Sequence, residues 1–426
     1  MFRFIHTADL HLDAPLHSLA LKDAVLSDLV GSATRGALEQ IVTLCLEENV
    51  HALLIAGDLY DRDLHSMKTA AFLTTQLERL NAAAIPAFII RGNHDAASVI
   101  TKELDLPPNV HVFSGHGGTA RIDEHGVAVH GVSFAKPQAP ESLLPKYPAP
   151  VAGCFNIGLL HTSLAGSEGH DTYAPCSISD LKNHGYDYWA LGHIHQRRVH
   201  SEVPHIVMPG MPQGRDIGEA GVKSVTLVSI SDGTVTLEER RTSQVEFIRL
   251  PCALDGVEEW RDMLAQITSE MKEAASSQDA GNNILRVELT GKTPLAWRVR
   301  RDMDLLGEQI REAAEAIGNV WIEKVECHLR QPEASEARED PRFELQAIMQ
   351  MLMQEEAIKA RAVEMSEWLI GELPPEIRSE FGGDRDALAE SVATFLAEGY
   401  EDVVALMMGE DAPEDVGGTY NASSPS

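Results

Sequence analysis

The chain has 426 residues, with 35 Lys and Arg against 65 Asp and Glu, a formal net charge of −30. Apolar residues at 44% and charged residues at 23% fit a globular protein with two or three domains that bury their own cores without disulfide staples. The acid excess excludes nucleic-acid binding through a broadly basic surface, because such affinity comes mostly from neutralising phosphates, but bound cations or a partner can still bring nucleic acid in as a substrate.

In chain order, the opening Met1-Phe2-Arg3-Phe4-Ile5-His6 predicts a strand over 2–6, without the apolar stretch of a signal peptide. No apolar run approaches the ~18 residues that span a bilayer. Five cysteines, Cys45, Cys154, Cys176, Cys252 and Cys327, are scattered and never form a CxxC, which predicts free thiols in a reducing cytoplasm. Apolar spacing predicts a helix over 38–48, a buried strand over 52–56, a helix over 69–84 and a buried strand over 87–90. This alternation implies a βαβ sheet covered by helices. Strands follow over 110–113, 127–132, 155–160, 188–191 and 205–208, with a glycine turn at 115–118. A hairpin, 222–229 and 235–240, closes on Ser231-Asp232-Gly233. The expected architecture of residues 1–244 is α/β: two packed sheets with helices outside.

A second unit is predicted over 245–330: strand 245–250, helix 257–273, strand 284–290, helix 300–316 and strand 320–327, a small α+β domain. Residues 331–341, polar and bounded by prolines, read as a linker. Helices over 343–369 and 384–408 make a C-terminal region of 342–409, and 410–426 reads as a disordered acidic tail. There is no internal repeat.

Residues able to carry chemistry fall just after predicted strands. These are Asp9-Leu10-His11, Gly57-Asp58-Leu59-Tyr60-Asp61, Gly92-Asn93-His94-Asp95, Gly192-His193-Ile194-His195 and a lone His161. In open α/β sheets, loops beyond the carboxyl ends of strands gather at one crevice. The inventory suits two divalent cations sharing one carboxylate, and its mixture of imidazole and oxygen donors favours Mn or Fe. On an extended chain Asp9 and His11, at i and i+2, reach the same side. His193 and His195 do likewise, or divide between two ions if the chain bends. Gly57 and Gly92 mark sharp turns or close backbone approach. Two metals ~3.5–4 Å apart are a general device for phosphoester hydrolysis. His6, His17, His51, His65, His111, His116, His125 and His130 have no partners at ligand spacing and read as surface or satisfied core residues. No Gly-x-Ser-x-Gly elbow occurs, which removes serine-hydrolase chemistry.

The ordered series Asp-x-His, Gly-Asp, Gly-Asn-His-Asp, His and Gly-His-x-His resembles the calcineurin-like metallophosphoesterases. The segments FIHTADLHL, LLIAGDLYDRD and ALGHIHQ look more specifically like the SbcD-type DNA repair nucleases. The run Pro209–Arg215, PGMPQGR, points to their YhaO-like branch. The resemblance is strong over the first 240 or so residues and weak beyond. It implies a four-layer α/β/β/α metallophosphoesterase sandwich with a capping domain and C-terminal helices. It implies two divalent ions, with Mn2+ expected, one held by Asp9, His11, Asp58 and His195 and the other by Asp58, Asn93, His161 and His193. His94 would orient the phosphate and protonate the leaving 3′ oxygen, Asp95 would position His94, and Arg215 is a candidate substrate contact. Asp61 departs from relatives that carry a histidine there.

The activity implied is that of a DNA exonuclease, with single-strand endonuclease action, hydrolysing phosphodiesters with a two-metal-activated water in repair. The partners implied are DNA, a second copy of the chain and an SbcC-like ABC-type ATPase docked by the C-terminal helices, with no membrane. Two other readings stand beside it: a small-molecule phosphodiesterase or phosphatase, and an assembly subunit for the ATPase. The charge is uneven, −9 over residues 1–250 and −21 over 251–426. The predicted catalytic half is therefore only mildly acidic, and useful DNA affinity is expected to come from dimerisation or a more basic partner.

Overall fold

A computed structural model describes residues 1–14, 24–60, 67–97, 106–164, 173–276, 281–332, 348–349, 351–371 and 385–408. The chain divides into two compact units, one of Met1–Arg249, Ala275–Arg286 and Asn319–Glu323, the other of Leu250–Ala274, Val287–Gly318 and Lys324–Ser426. Asp61, most of the predicted linker, residues 343–347 and the 410–426 tail lie outside the described residues.

The first unit begins β1 (Phe2–Thr7), α1 (Ala24–Glu47), β2 (Ala52–Ala56), α2 (Met67–Ala82), β3 (Ala87–Ile90), α3 (Asn93–Ala97) and β4 (Val110–Val112). It continues with β5 (Gly118–Ile122), β6 (Val127–Gly131), β7 (Phe155–His161), α4 (Ile178–His184), β8 (Tyr188–Gly192), β9 (Arg198–Glu202) and β10 (His205–Met208). The hairpin β11 (Ser224–Ser231) and β12 (Thr234–Arg241) follows. Its turn is the two-residue Asp232–Gly233, with φ 51° and 78°, the type I′ geometry that matches strand twist.

Two six-stranded sheets result, ordered β12-β11-β1-β2-β3-β4 and β5-β6-β7-β8-β10-β9. β1 to β4 are parallel, as are β6, β7, β8 and β10, while β11, β12, β5 and β9 run antiparallel to their neighbours. The period of two in side-chain direction sorts the strand residues into layers. Phe4, Leu54, Phe88 and Ile90 meet Val129, Ile157, Leu159 and Val207 in a core between the sheets. Their neighbours Ile5, Leu53, Ile55 and Ile89 face the other way, onto Leu38 and Ile41 of α1 and Leu73 and Leu77 of α2. On the second sheet Leu160, Trp189, Leu191 and Met208 pack with Leu181 of α4, and Trp189 Nε1 donates to the Leu181 carbonyl at 3.0 Å. This is the expected four-layer α/β/β/α sandwich. Each fully buried Leu or Ile in it is worth ~1.5–3 kcal/mol. His6 and His130 are satisfied core residues, as read from the sequence: His6 meets Tyr188 and Leu191, and His130 meets Thr119 and Asn156.

The later elements are β13 (Val245–Ala253), α5 (Trp260–Ser276), β14 (Asn282–Lys292), α6 (Ala296–Arg301), α7 (Met303–Ile317), β15 (Val320–Arg330), α8 (Glu356–Gly371) and α9 (Arg385–Met408). The three strands form a sheet ordered β13-β14-β15. α5 buries Met263, Ile267 and Met271, and α7 buries Leu306, Ile310 and Ala314, one face each at helical spacing. α9 packs on α6 and on α8. The single helix predicted over 300–316 is broken at Asp302 (φ −104°, ψ 31°), whose carboxylate pairs with Arg301 at 2.7 Å. Among the described residues no helix is long and apolar enough to cross a membrane.

Candidate metal centre

The parallel strands β1, β2 and β3 of one sheet and β7 and β8 of the other deliver the candidate ligands from their carboxyl ends. Asp9 and His11 follow β1, Asp58 follows β2, Asn93 and His94 open α3 after β3, His161 ends β7, and His193 and His195 follow β8. All except His94, His193 and His195 are buried, and those three are half-buried.

The extended-chain argument for Asp9 and His11 fails. Both are left-handed, with φ 53° and 40°. The loop after β1 turns along the loop after β2: Asp9 N–H donates to Gly57 O at 3.0 Å, His11 N–H to Asp58 O at 3.1 Å and Leu12 N–H to Leu59 O at 2.9 Å. Asp58 (φ 54°) and His193 (φ 100°) are left-handed too. Such backbone costs ~1–3 kcal/mol per non-glycine residue and concentrates at functional sites. Gly92 is needed for close approach: a Cβ there would lie 2.8 Å from the Asp58 amide nitrogen and collide with its carboxylate.

Two clusters emerge. Ligand atoms of Asp9, His11 and His195 lie within 4.8 Å of one another, as do those of Asp58, His161 and His193. The chain therefore bends between His193 and His195 and divides them. Asp58 stands between the clusters, its Oδ2 3.3 Å from His161 Nε2 and 4.0 Å from His11 Nε2. Asn93 Oδ1 lies 2.9 Å from His161 Nε2. The Asp9 carboxylate accepts His193 N–H at 3.0 Å, and Asp58 Oδ1 accepts His94 N–H at 3.0 Å.

The donor set fits cations. His161 Nδ1 lies 2.9 Å from the Ala56 carbonyl, so it carries the proton and a neutral ring presents a lone pair at Nε2. That lone pair faces two oxygen acceptors, Asn93 Oδ1 and Asp58 Oδ2. A cation, a proton or a metal ion, between the lone pair and the Asp58 carboxylate relieves this. Burial disfavours charge on His161, yet the Asp58 and Asp9 carboxylates outweigh it and push the ring up to about 9. Burial likewise pushes Asp9 up to about 6 and His11 well below the usual imidazole range. Asp58, though buried, is held well below the usual carboxylate range by His161 and His11. In the first cluster His11 Nε2 and His195 Nε2 stand 3.2 Å apart.

Asp95 acts on backbone. Its carboxylate accepts N–H from Gly92 at 3.0 Å, Leu59 at 3.0 Å and Tyr60 at 3.1 Å, which ties the Asp58 loop to the Asn93–His94 loop. Arg215, expected at the substrate, grips Glu219 with Nη2 at 2.7 Å and Nε at 3.2 Å. Glu219 in turn takes His195 Nδ1 at 2.7 Å. Burial opposes the Glu219 charge, but His195 and Arg215 hold its carboxyl well below the usual range. Sequence reading missed Glu219, which shares no ligand spacing with His195. The nearest signal was the basic residue four positions before it.

Residues 2–197 match the calcineurin-like phosphoesterase family model, and residues 247–330 match that of the metallophosphoesterase YhaO middle domain. The chain is 36% identical over 247 residues to the uncharacterized metallophosphoesterase YhaO of Bacillus subtilis, covering 57% of this chain and 60% of that protein. It is 26% identical over 209 residues to the DNA double-strand break repair protein Mre11 of Sulfurisphaera tokodaii, covering 46% of this chain and 50% of that protein. The matches thus span 50–60% of these relatives' own length. Among solved structures, a dimetal phosphatase from Danio rerio aligns at 11% identity and a TM-score of 0.36, covering 57% of this chain and 96% of that one. In this chain the two clusters supply candidate ligands for two metal ions. Over residues 2–197 the chain is thus similar to calcineurin-like phosphoesterases, and over 247–330 to the YhaO middle domain.

Proposed function

We propose that the chain is a dinuclear, metal-dependent phosphodiesterase acting on DNA, an exonuclease with single-strand endonuclease action that serves in repair. The observation that carries the phosphoester chemistry is the Asp58 carboxylate standing between two ligand clusters, each with two buried members and one half-buried histidine. We assign Asp9, His11, Asp58 and His195 to one ion and Asp58, Asn93, His161 and His193 to the other; the mixture of carboxylate, amide and imidazole donors suits Mn or Fe, and the resemblance to the SbcD-type nucleases selects Mn2+. When bound, the ions supply an activated water and positive charge for the phosphoryl oxygens. The chain's own residues do the rest. His94 stands edge-on to His11, ring centroids 4.8 Å apart and half-exposed, and we assign it to orient the phosphate and protonate the leaving 3′ oxygen. Asp95 keeps His94 and Asp58 in register through the backbone.

The DNA half of the reading is supported by the alignment with the Mre11 repair protein. The partner half, a second copy and an SbcC-like ATPase, is supported by apolar side chains left in water on the terminal helices. These are Met365, Trp368 and Leu369 of α8, and Phe395 and Leu406 of α9. Five free cysteines suit a reducing cytoplasm. One observation favours a second reading, a small-molecule phosphodiesterase: a net charge of −30 repels a polyanion.

The test uses the purified chain with Mn2+ and two substrates, end-labelled DNA and bis-p-nitrophenyl phosphate. The nuclease reading expects both to be cleaved. Cleavage of the ester without DNA degradation selects the small-molecule reading, and cleavage of neither contradicts both. Asp58→Ala is expected to be inert, and His94→Gln to lose ~10²–10⁴-fold in rate as a lost general acid.

A further inference from the structure

We propose that Glu219, clamped by Arg215, is the positioning residue that fixes the His195 ring and makes the Asp9–His11–His195 cluster the tighter of the two divalent-cation sites. This rests on the two-ion reading above. His195 Nδ1 lies 2.7 Å from Glu219 Oε1 and its Nε2 lies 3.2 Å from His11 Nε2. An ionised carboxylate only accepts, so Nδ1 carries the proton and the Nε2 lone pair is committed to the cluster.

The clamp is built, not incidental. Both Glu219 oxygens are occupied: Oε1 by His195 Nδ1 and Arg215 Nη2 (2.7 Å), and Oε2 by Arg215 N–H (2.8 Å) and Nε (3.2 Å). The Glu219 side chain is 14% exposed, which shields these contacts from water. Its backbone is set as well. Glu219 N–H donates to Asp216 O at 3.1 Å, and the Asp216 side chain accepts Gly218 N–H at 2.7 Å, closing the turn Ile217–Glu219. The His195 backbone is held as well, its carbonyl accepting Met211 N–H at 3.2 Å.

His161 and His11 are backed differently. His161 Nδ1 donates to a neutral carbonyl, that of Ala56, and His11 Nδ1 is buried with no hydrogen-bond partner among the described residues. A carboxylate behind an imidazole fixes its tautomer, holds the ring still and raises its basicity as a ligand. His195 is therefore better fixed than His161, and through it the first cluster, whose other imidazole His11 has no such backing, starts better organised than the one holding His161. A merely structural Arg215–Glu219 pair would steady the 215–219 turn without aiming Oε1 at the ring.

The experiment uses the full chain, stripped of metal, and compares wild type with Glu219→Gln and Arg215→Met. Imidazole 15N spectra of the metal-free protein read the tautomer: wild-type His195 is expected with its proton on Nδ1, and Glu219→Gln with a mixture. Titration with diamagnetic Zn2+ alone should shift the His195 ring nitrogens before those of His161. Calorimetry with Mn2+ should show one of two sites weakened ~10–100-fold in Glu219→Gln, as for other lost carboxylate–histidine contacts, with a smaller loss in Arg215→Met and the second site unchanged. An unchanged tautomer together with unchanged affinities overturns the proposal, as does a loss shared equally by both sites or His161 filling first. A wild type that takes up no Mn2+ contradicts the two-ion reading itself; the metal-free spectra then still decide whether Glu219 holds His195. If Glu219→Gln does not fold, Arg215→Met supplies the same readouts.

Discussion

Asp95→Ala is the perturbation whose size follows most fully from the structure. The substitution strips a buried acceptor from three backbone donors, Gly92, Leu59 and Tyr60. A buried donor left unsatisfied costs ~1–3 kcal/mol, so the loss is ~6 kcal/mol for three donors. Against it stands a gain. Burial and the neighbouring Asp58 charge push the Asp95 carboxyl from 3.8 up to about 6, and holding it ionised at pH 7 costs ~3 kcal/mol at 1.36 kcal/mol per pKa unit. Removing the carboxyl removes that cost, leaving a net destabilisation of ~3 kcal/mol at pH 7. The sign of the pH dependence follows. A carboxyl raised in the fold contributes stability that is present below pH 3.8 and lost as pH rises through 6. Wild type therefore gains on the variant as pH falls, and the difference should widen between pH 7 and pH 4. The assay is urea unfolding of the chelator-treated chain, followed by tryptophan fluorescence with Trp189 buried in the same unit. A variant within ~0.5 kcal/mol of wild type, as for a surface change, or a difference that narrows toward acid, would refute the reasoning.

Further outcomes are expected. His6 is buried between Tyr188 and Leu191, and burial pushes its ring down to about 3. The unfolded chain protonates first, so stability is complete above pH 6.5 and declines toward pH 3, by ~4–5 kcal/mol in all. His6→Gln should flatten that acid slope in chelator-treated samples, and an unaltered slope would remove His6 as its source. Gly92→Ala places a methyl against Asp58; Mn2+ uptake should fall by more than tenfold, and calorimetry showing intact uptake would contradict the close-approach argument. Mn2+ bound to the folded chain alone should raise the thermal midpoint, by ~2.7 kcal/mol of stability at a hundred times the dissociation constant. A midpoint indifferent to Mn2+ and chelator would mean the clusters bind no ion.

Much of the site was legible because its parts are local. Each ligand follows a strand whose apolar run is unmistakable, and 52–56, 87–90 and 205–208 are predicted to the residue. The illegible parts depend on tertiary contact. β5 and β9 are edge strands with no fully buried residue, so their sequences, GTARI and RVHSE, lack an apolar run. Asp9 and His11 share a cluster through a left-handed loop zipped to its neighbour, which no i, i+2 rule anticipates. The Arg215–Glu219 pair, and the hold of Glu219 on His195, appear only once β8 and the 210–221 segment are side by side. The His193–His195 bend was left open by the sequence, and φ 100° at His193 decides it.

The central claim is that Asp58 is shared by two cation sites serving phosphodiester hydrolysis. Equilibrium dialysis against Mn2+, with metal counted per chain and bis-p-nitrophenyl phosphate turnover followed on the same samples, tests it most directly. The account predicts two ions per wild-type chain, turnover that rises with the second ion, and loss of both properties in Asp58→Ala. A wild-type chain that binds no ion, or an Asp58→Ala chain that keeps two ions and full turnover, would contradict it.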